Sequence, residues 1–282
     1  VLSATRFAVA DTAKPELYDL KYKLKVGEII RCEVVHRATV ETTIQENSQT
    51  SETRSKSIKA WKVTAATPDN ITFVHSVESI DMWQRMQGRA EVTFNSLTDK
   101  TPPPGYEQAA AAVGVPLTEV TMNERGVILK RVQKHQQTDL QSPQIAMPLP
   151  AEPVAVGHVW TAPLEIEVVL TGGASRRIKT QQKFELTKVA DGIAFIQLDT
   201  QVLTPISEPT IEAQLIQRLS SGVVQFDIDA GRVIQQDLDL DRRVLGFSGA
   251  ASSMHYLTRF TEKLLPSEAS KTALKSTPGK RN

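Results

Sequence analysis

The stretch Leu20-Lys21-Tyr22-Lys23-Leu24-Lys25-Val26 is followed, after Gly27, by Ile30-Arg31-Cys32-Glu33-Val34-Val35-His36-Arg37-Ala38-Thr39-Val40-Glu41-Thr42-Thr43-Ile44. Apolar and polar residues alternate through both runs, which is the period of a strand with one face against a core. In the second run one face collects Ile30, Cys32, Val34, His36, Ala38, Val40 and Ile44. The other collects Arg31, Glu33, Arg37, Thr39, Glu41 and Thr43. Read as one strand from Glu28 to Ile44, the run would reach roughly 55 Å, about three times an ordinary strand. A strand of that length must bend or belong to a strongly curved sheet.

Working outward, the same pattern returns later in the chain. Val26-Gly27-Glu28-Ile29-Ile30 reappears as Val156-Gly157-His158-Val159-Trp160, 130 positions on. That offset keeps the apolar face in phase from Ile30/Trp160 to Val40/Leu170. Trp61-Lys62-Val63-Thr64 and Asn70-Ile71-Thr72-Phe73-Val74 match Phe184-Glu185-Leu186-Thr187 and Gly192-Ile193-Ala194-Phe195-Ile196. Each is two strands joined by a turn, at Pro68-Asp69-Asn70 and at Asp191-Gly192. Glu124-Arg125-Gly126-Val127 and Asp229-Ala230-Gly231-Arg232-Val233 give a third pair, read as hairpin turns with glycine at positive φ. In the second of these a three-residue loop, Asp229–Gly231, would set Phe226 opposite Ile234. Three blocks in one order predict an internal duplication.

The copies differ by the insertion Thr101–Val115, whose prolines and alanines predict a stiff entry and a short helix. Ile211, Leu215 and Leu219 predict a helix over Ser207–Leu219, with a counterpart over Ser79–Gln87 carrying Ile80, Trp83 and Met86. The expected fold is α+β and predominantly antiparallel β: an internally duplicated curved β-meander with one crossing helix per repeat. The expected organisation is a disordered leader or signal-peptide remnant (1–16), a first β-rich repeat (17–137), and a Pro-rich linker (138–153). A second repeat (154–266) and a disordered basic tail (267–282) follow. Ala8-Val9-Ala10 has the small-x-small form of a signal-peptidase site, while Arg6 fits poorly in an apolar h-region. Of the linker, Ile145, Met147 and Leu149 are apolar enough to be pinned to a surface.

Composition narrows the function classes. The 282 residues hold 33 Lys+Arg against 32 Asp+Glu, a net charge of +1, so nothing in bulk favours nucleic acid or an anionic membrane. One cysteine excludes an intrachain disulfide and a Cys-rich metal site. No apolar run is long enough for a transmembrane helix.

The candidate chemistry is sparse. Five histidines, His36, His75, His135, His158 and His255, have no metal-ligand spacing. Cys32 and His36 share a strand face about 13 Å apart, too far for a thiolate–imidazole pair. Asp227-Ile228-Asp229-Ala230-Gly231 lacks the later ligands of a calcium loop. Asp237, Asp239 and Asp241 read as the solvated face of a strand whose other face holds Leu238 and Leu240, and Glu165 and Glu167 read the same way. Nucleotide, zinc-protease and hydrolase motifs are missing. The chain is therefore read as a non-enzyme with no cofactor and no metal. Trp61, Trp83, Trp160, Ile166 and Phe184 are the candidate ligand-binding residues, for a lipid or other apolar molecule in a groove of curved strands.

Leu20–Ile30, the Trp61–Val74 hairpin and the Gly126 and Gly231 turns resemble an uncharacterised family of exported bacterial β-rich proteins, over about residues 17 to 265. A curved antiparallel sheet crossed by helices is also similar, as a fold, to LolA-like lipoprotein carriers. The resemblance implies a periplasmic or secreted protein of the cell envelope, with a lipid or an envelope protein as partner. The alternatives are a structural or scaffolding protein and, remotely, a hydrolase using the Asp237–Asp241 ladder.

Overall fold

The computed structural model describes residues 15–135, 145–170 and 172–266. Residues 1–14 of the expected leader, 136–144 around the start of the linker, and the tail from 267 lie outside the described residues. The first half is built from Ile29–Ile44 (β1), Asn47–Ala66 (β2), Asn70–Met86 (β3), Val92–Asn95 (β4), Glu107–Ala111 (α1), Pro116–Asn123 (β5) and Ile128–Gln133 (β6). The second is built from Val159–Val169 (β7), Ser175–Ala190 (β8), Ile193–Val202 (β9), Pro209–Leu215 (α2), Ser221–Asp227 (β10), Arg232–Leu245 (β11) and Ser252–Leu264 (β12).

All twelve strands belong to one antiparallel sheet, in the order β6-β5-β3-β2-β1-β12-β11-β10-β9-β8-β7, with β4 added to the far end of β3. Each half is a meander, and β12 pairs with β1 to join them. The long alternating run is realised as β1, sixteen unbroken residues. Its partner β2 is longer still at twenty. Bulges in the β2–β3 and β8–β9 ladders supply the bending that such lengths require.

The two halves share local geometry. Gly27 N–H donates to Val63 O, and Val63 N–H to Glu28 O; Gly157 N–H donates to Leu186 O, and Leu186 N–H to His158 O. Thr64 and Thr187 fall at register shifts, and their hydroxyls donate to Thr72 O and Phe195 O.

Three expectations are corrected. The helix over Ser79–Gln87 is strand, because β3 stays paired with β2 from Ser57↔Ile80 to Ser51↔Met86. A bulge precedes this stretch: Lys59 pairs with Val77 and Ile58 with Ser79, leaving Glu78 extra. The expected helix rests on Ile80, Trp83 and Met86, and the strand splits that set. Ile80 and Met86 share the core-side face with Met82, while Trp83 is an apolar residue on the outer face, which is what imitates a helical spacing. One crossing helix per repeat is thus not found. The short helix of the insertion is α1, which buries none of its residues; α2, with the 3-10 turn after it, buries Ile211, Ala213, Leu215 and Ile216.

Second, Leu20–Val26 joins no ladder of the sheet. It keeps the predicted alternation, with Leu20, Tyr22 and Leu24 buried, but threads between the turn ends of the two halves. Tyr22 N–H donates to Glu124 O, Lys23 N–H to Gly231 O, and Tyr18 bridges to Val154. Gly126 and Gly231 have φ of +76° and +62°, and a Cβ on either would run into this segment. At Gly231 it would lie 2.5 Å from Lys23 N; at Gly126 it would overlap Met147 O and the Tyr22 ring. Glycine is demanded at both turns by conformation and by space.

Third, Phe226 pairs with Val233 rather than Ile234, since the loop is Ile228–Gly231 and a bulge follows between Gln225 and Phe226.

The main core lies under this threaded segment. Phe73, Phe184, Phe226, Leu20, Ile196 and Leu186 are fully enclosed there, with Ala146, Met147 and Leu149 of the linker buried among them. Tyr22 clamps the linker through its hydroxyl, which donates to Met147 O at 3.1 Å and accepts from Met147 N–H at 3.0 Å. Two further clusters form where α2 lies on the sheet. Ile211 and Leu215 meet Ile166, Val168 and Ile178; Ala213 and Ile216 meet Leu240, Val244, Met254 and Tyr256.

Candidate ligand-binding face

Register assigns each residue of the long strands to a face, because directly paired residues point the same way. On the core side β1 continues from Ile30 and Cys32 to Val34, His36, Ala38 and Val40. Opposite these, β2 presents Trp61, Lys59, Ser57, Ser55, Thr53 and Ser51. Past its bulge β3 adds Ile80, Met82, Gln84 and Met86. Beyond Lys59 this inner face carries no charged residue on β1, β2 or β3. The outer face is the reverse: Arg31–Glu78 (2.9 Å), Lys56–Glu33 (2.8 Å), Arg54–Asp81 (3.4 Å) and Arg85–Glu52 form cross-strand ion pairs.

The inner face has relief as well as neutrality. The row Ser57, Ser55, Thr53, Ser51 is small, and it runs between the taller rows of β1 and β3. Four small positions at period two make a trough roughly 20 Å long and one strand wide. Ala38 and Val40, on the β1 side, pack against the cluster beneath α2. Phe94 of β4, paired with Met82 and packed on Tyr106 at 6.4 Å, closes the β3 side. His36 borders the trough; the Thr258 hydroxyl donates to Arg37 O, so the His36 Nε2–H donates to Thr258 Oγ1 at 2.8 Å. Burial holds the His36 imidazole below its ordinary pKa.

At its inner end the trough meets a polar group set into the core. Lys59 Nζ lies 2.6 Å from Glu262 Oε1, and Gln236 Nε2 donates to the same carboxylate at 3.2 Å. The Glu262 side chain is only 8% exposed and that of Lys59 19%. A pair this deep survives only because each charge has its partner and added hydrogen bonds. The Lys59 ammonium also sits 5.3 Å from the centre of the Trp61 ring, which stacks on Phe73 at 4.4 Å. Cys32 lies beside the pair, and burial, with the Glu262 charge second, pushes its thiol up to about 12. His75, across from Trp61, is held down to about 4 by burial and then by Lys59. Trp61 Nε1 is buried with no hydrogen-bond partner, and Trp61, Lys59, Glu262, Cys32 and Arg232 line a small cavity. The cavity leaves about 20 Å³ for the centre of a water molecule, enough for one small polar group.

The structure distributes the five candidate residues unevenly. Trp61 stands at the cavity. Phe184 is enclosed in the main core and stacks on Trp160 at 5.5 Å. Trp160 is half-buried and donates from Nε1 to Pro148 O at 2.9 Å; with Leu17, Pro150, Pro153 and His158 it lines a shallow apolar depression elsewhere on the surface. Ile166 lies under α2. Trp83 is in strand, not helix, and pairs with Arg54 on the outer face, where its Nε1 donates to Glu91 at 3.0 Å and Arg85 lies over its ring. Asp237, Asp239 and Asp241 are exposed along β11, and Glu165 and Glu167 along β7.

Sequence reasoning missed Lys59, Glu262, Gln236, His75 and the small-residue row. The row had a signal, the alternation of small and charged residues from Ser51 to Ser57; the buried pair had none, because it depends on β12 meeting β1.

No family model matches the chain, and no curated protein matches it. Among solved structures it is similar to the chain described as lipid-protein interactions in lipovitellin, at TM-score 0.44 and 8% identity, over 86% of this chain and 26% of that one. It therefore spans about a quarter of the length of that chain. It is also similar to the secretin InvG of the Salmonella type III secretion injectisome in the open gate state, at TM-score 0.19 and 11% identity, over 90% of this chain and 68% of that one. Both scores are below 0.5, and the functional reading rests on the residues of this chain.

Proposed function

We propose that the protein is a non-enzymatic, exported cell-envelope protein that binds a lipid or other apolar ligand on the inner face of its curved sheet. One observation carries the reading. The inner face of the second half lies under α2, whereas the equivalent stretch of β2 and β3 is uncharged, is flanked mainly by apolar side chains and, among the described residues, joins neither cluster beneath α2. A charge-free trough on a sheet whose other face is laced with ion pairs suits an apolar occupant and disfavours a charged one.

The same proposal takes the chain as an internal duplication, with units at 17–137 and 154–266. The matched hydrogen bonds at Gly27 and Gly157 and the matched bulges at Thr64 and Thr187 support it. Export rests on Ala8-Val9-Ala10 and the family resemblance. Native mass spectrometry after gentle purification, with a fluorescent acyl probe offered to the delipidated protein, tests the ligand reading. Co-purified lipid or saturable probe uptake supports it; bare protein that leaves the probe unchanged overturns it.

A second reading has its own observation. Leu17, Val156 and Val159 are exposed beside the Trp160 depression, an apolar patch suited to an envelope protein partner.

A further inference from the structure

We propose that the trough along β2 takes a single-chain amphiphile with a small, uncharged polar end, whose acceptor oxygen enters the cavity beside Trp61. This rests on the lipid-binding reading above and names the class of ligand. Three independent features converge on it.

The first is width. The floor from Ser57 to Ser51 is one strand wide, between the side-chain rows of β1 and β3, which admits one extended hydrocarbon chain and not two side by side. The second is the unpartnered donor. A buried indole N–H left without an acceptor is costly, and most such groups in folded proteins are satisfied. Trp61 follows Lys59 and Ser57 along the same face of β2, so a chain lying over the serines leads to the cavity that Trp61 lines. A carbonyl or hydroxyl oxygen there would accept from Nε1.

The third is charge. Lys59 is matched by Glu262, and Arg232, on the far wall, by Glu28 at 2.5 Å. The cavity is therefore electrically balanced. A neutral acceptor leaves that balance intact, whereas a carboxylate would bring a third negative charge beside the buried Glu262. The size of the cavity points the same way, since it has room for a group of about the size of water and none for a phosphate or a sugar.

The test compares three probes of one chain length on the intact protein: tetradecan-1-ol, myristate at about pH 8 where it is ionised, and tetradecane. Titration is followed by tryptophan fluorescence and native mass spectrometry. The expected result is one tetradecanol per chain, bound at least tenfold tighter than myristate. Trp61→Phe keeps the stacked ring and removes the donor, and should weaken tetradecanol about fivefold, the worth of one hydrogen bond, without changing tetradecane. Ser55→Leu fills the trough and should abolish uptake of all three; Thr53→Leu, at an exposed floor position, replaces it if Ser55→Leu fails to fold.

If myristate binds as tightly as the neutral probe, or Trp61→Phe weakens both alike, the inference about the polar end is overturned while the lipid-binding reading stands. Uptake that survives both leucine variants moves the site away from β2. Failure of every probe overturns the inference and the reading together.

Discussion

Replacing Glu262 by Gln is the most demanding test of how the inner face is held together. The carboxylate is 8% exposed and its partner Lys59 19%, so the change leaves an ammonium buried beside Trp61 and Cys32 with only a neutral amide to meet it. Removing one member of such a pair costs about 3–5 kcal/mol. Lys59 retains some water, which places the expected loss near the lower bound, about 3 kcal/mol. In a chain of this size that lowers Tm by about 6–12 °C, at 2–4 °C per kcal/mol. Lys59→Met should cost a similar amount, plus a contribution from the lost contact with the Trp61 ring. The double variant Lys59→Met/Glu262→Gln removes both charges and keeps an amide that can still meet Gln236, and should recover part of the loss. The assay is urea unfolding of all four proteins near pH 7, followed by circular dichroism and analysed as a double-mutant cycle. Single losses below about 1 kcal/mol that simply add in the double variant would refute the reasoning, for the pair would then be behaving as an exposed one.

Other parts of the structure carry expectations of their own. Gly231→Ala should lose about 3 kcal/mol, from left-handed backbone and from collision with Lys23, whereas Gly27→Ala, with φ +83° but open space, should lose about 1; equal urea midpoints would deny that the threaded segment is clamped. His75 has a folded pKa near 4 against 6.5 unfolded. Its contribution is intact above pH 6.5 and is lost as pH falls toward 4, by up to about 3 kcal/mol, and His75→Asn should flatten that part of the stability–pH curve. His255 has the opposite sign: Asp241 at 2.8 Å and Glu41 at 3.2 Å raise its pKa, so its contribution is present in acid and fades as pH rises through the raised value; an NMR titration showing a pKa below 6.5 would contradict this. Cys32, pushed up to about 12, should resist a thiol reagent at about pH 8 until urea opens the core.

Period-two alternation made β1, β7 and the β2–β3 and β8–β9 hairpins legible, because alternation survives wherever one face meets a core and the other meets water. It misled at two kinds of place. At Ile80–Met86 an apolar Trp83 on the outer face of β3, between Ile80 and Met86 on the inner one, made a strand look helical. At Leu20–Val26 the alternation was real, but its partners were turn ends, and periodicity cannot say what a buried face is buried against. The candidate site was readable only at Trp61. Lys59 and Glu262 are brought together by the β1–β12 register, a relation between positions 203 apart that no local pattern encodes.

That register has a kinetic side. His36 and Thr258 meet across 222 residues, so the seam that joins the halves closes only when β12 is available. Until β12 has emerged from the ribosome, one long edge of β1 stands open during synthesis, its backbone groups unpaired and its flank ready to accept any strand that arrives. Loop closure over such a distance is slow, and sheets dominated by distant pairings linger in partly folded forms. A chaperone that shields β1 in this interval would protect the yield of folded protein more than one acting on any other strand.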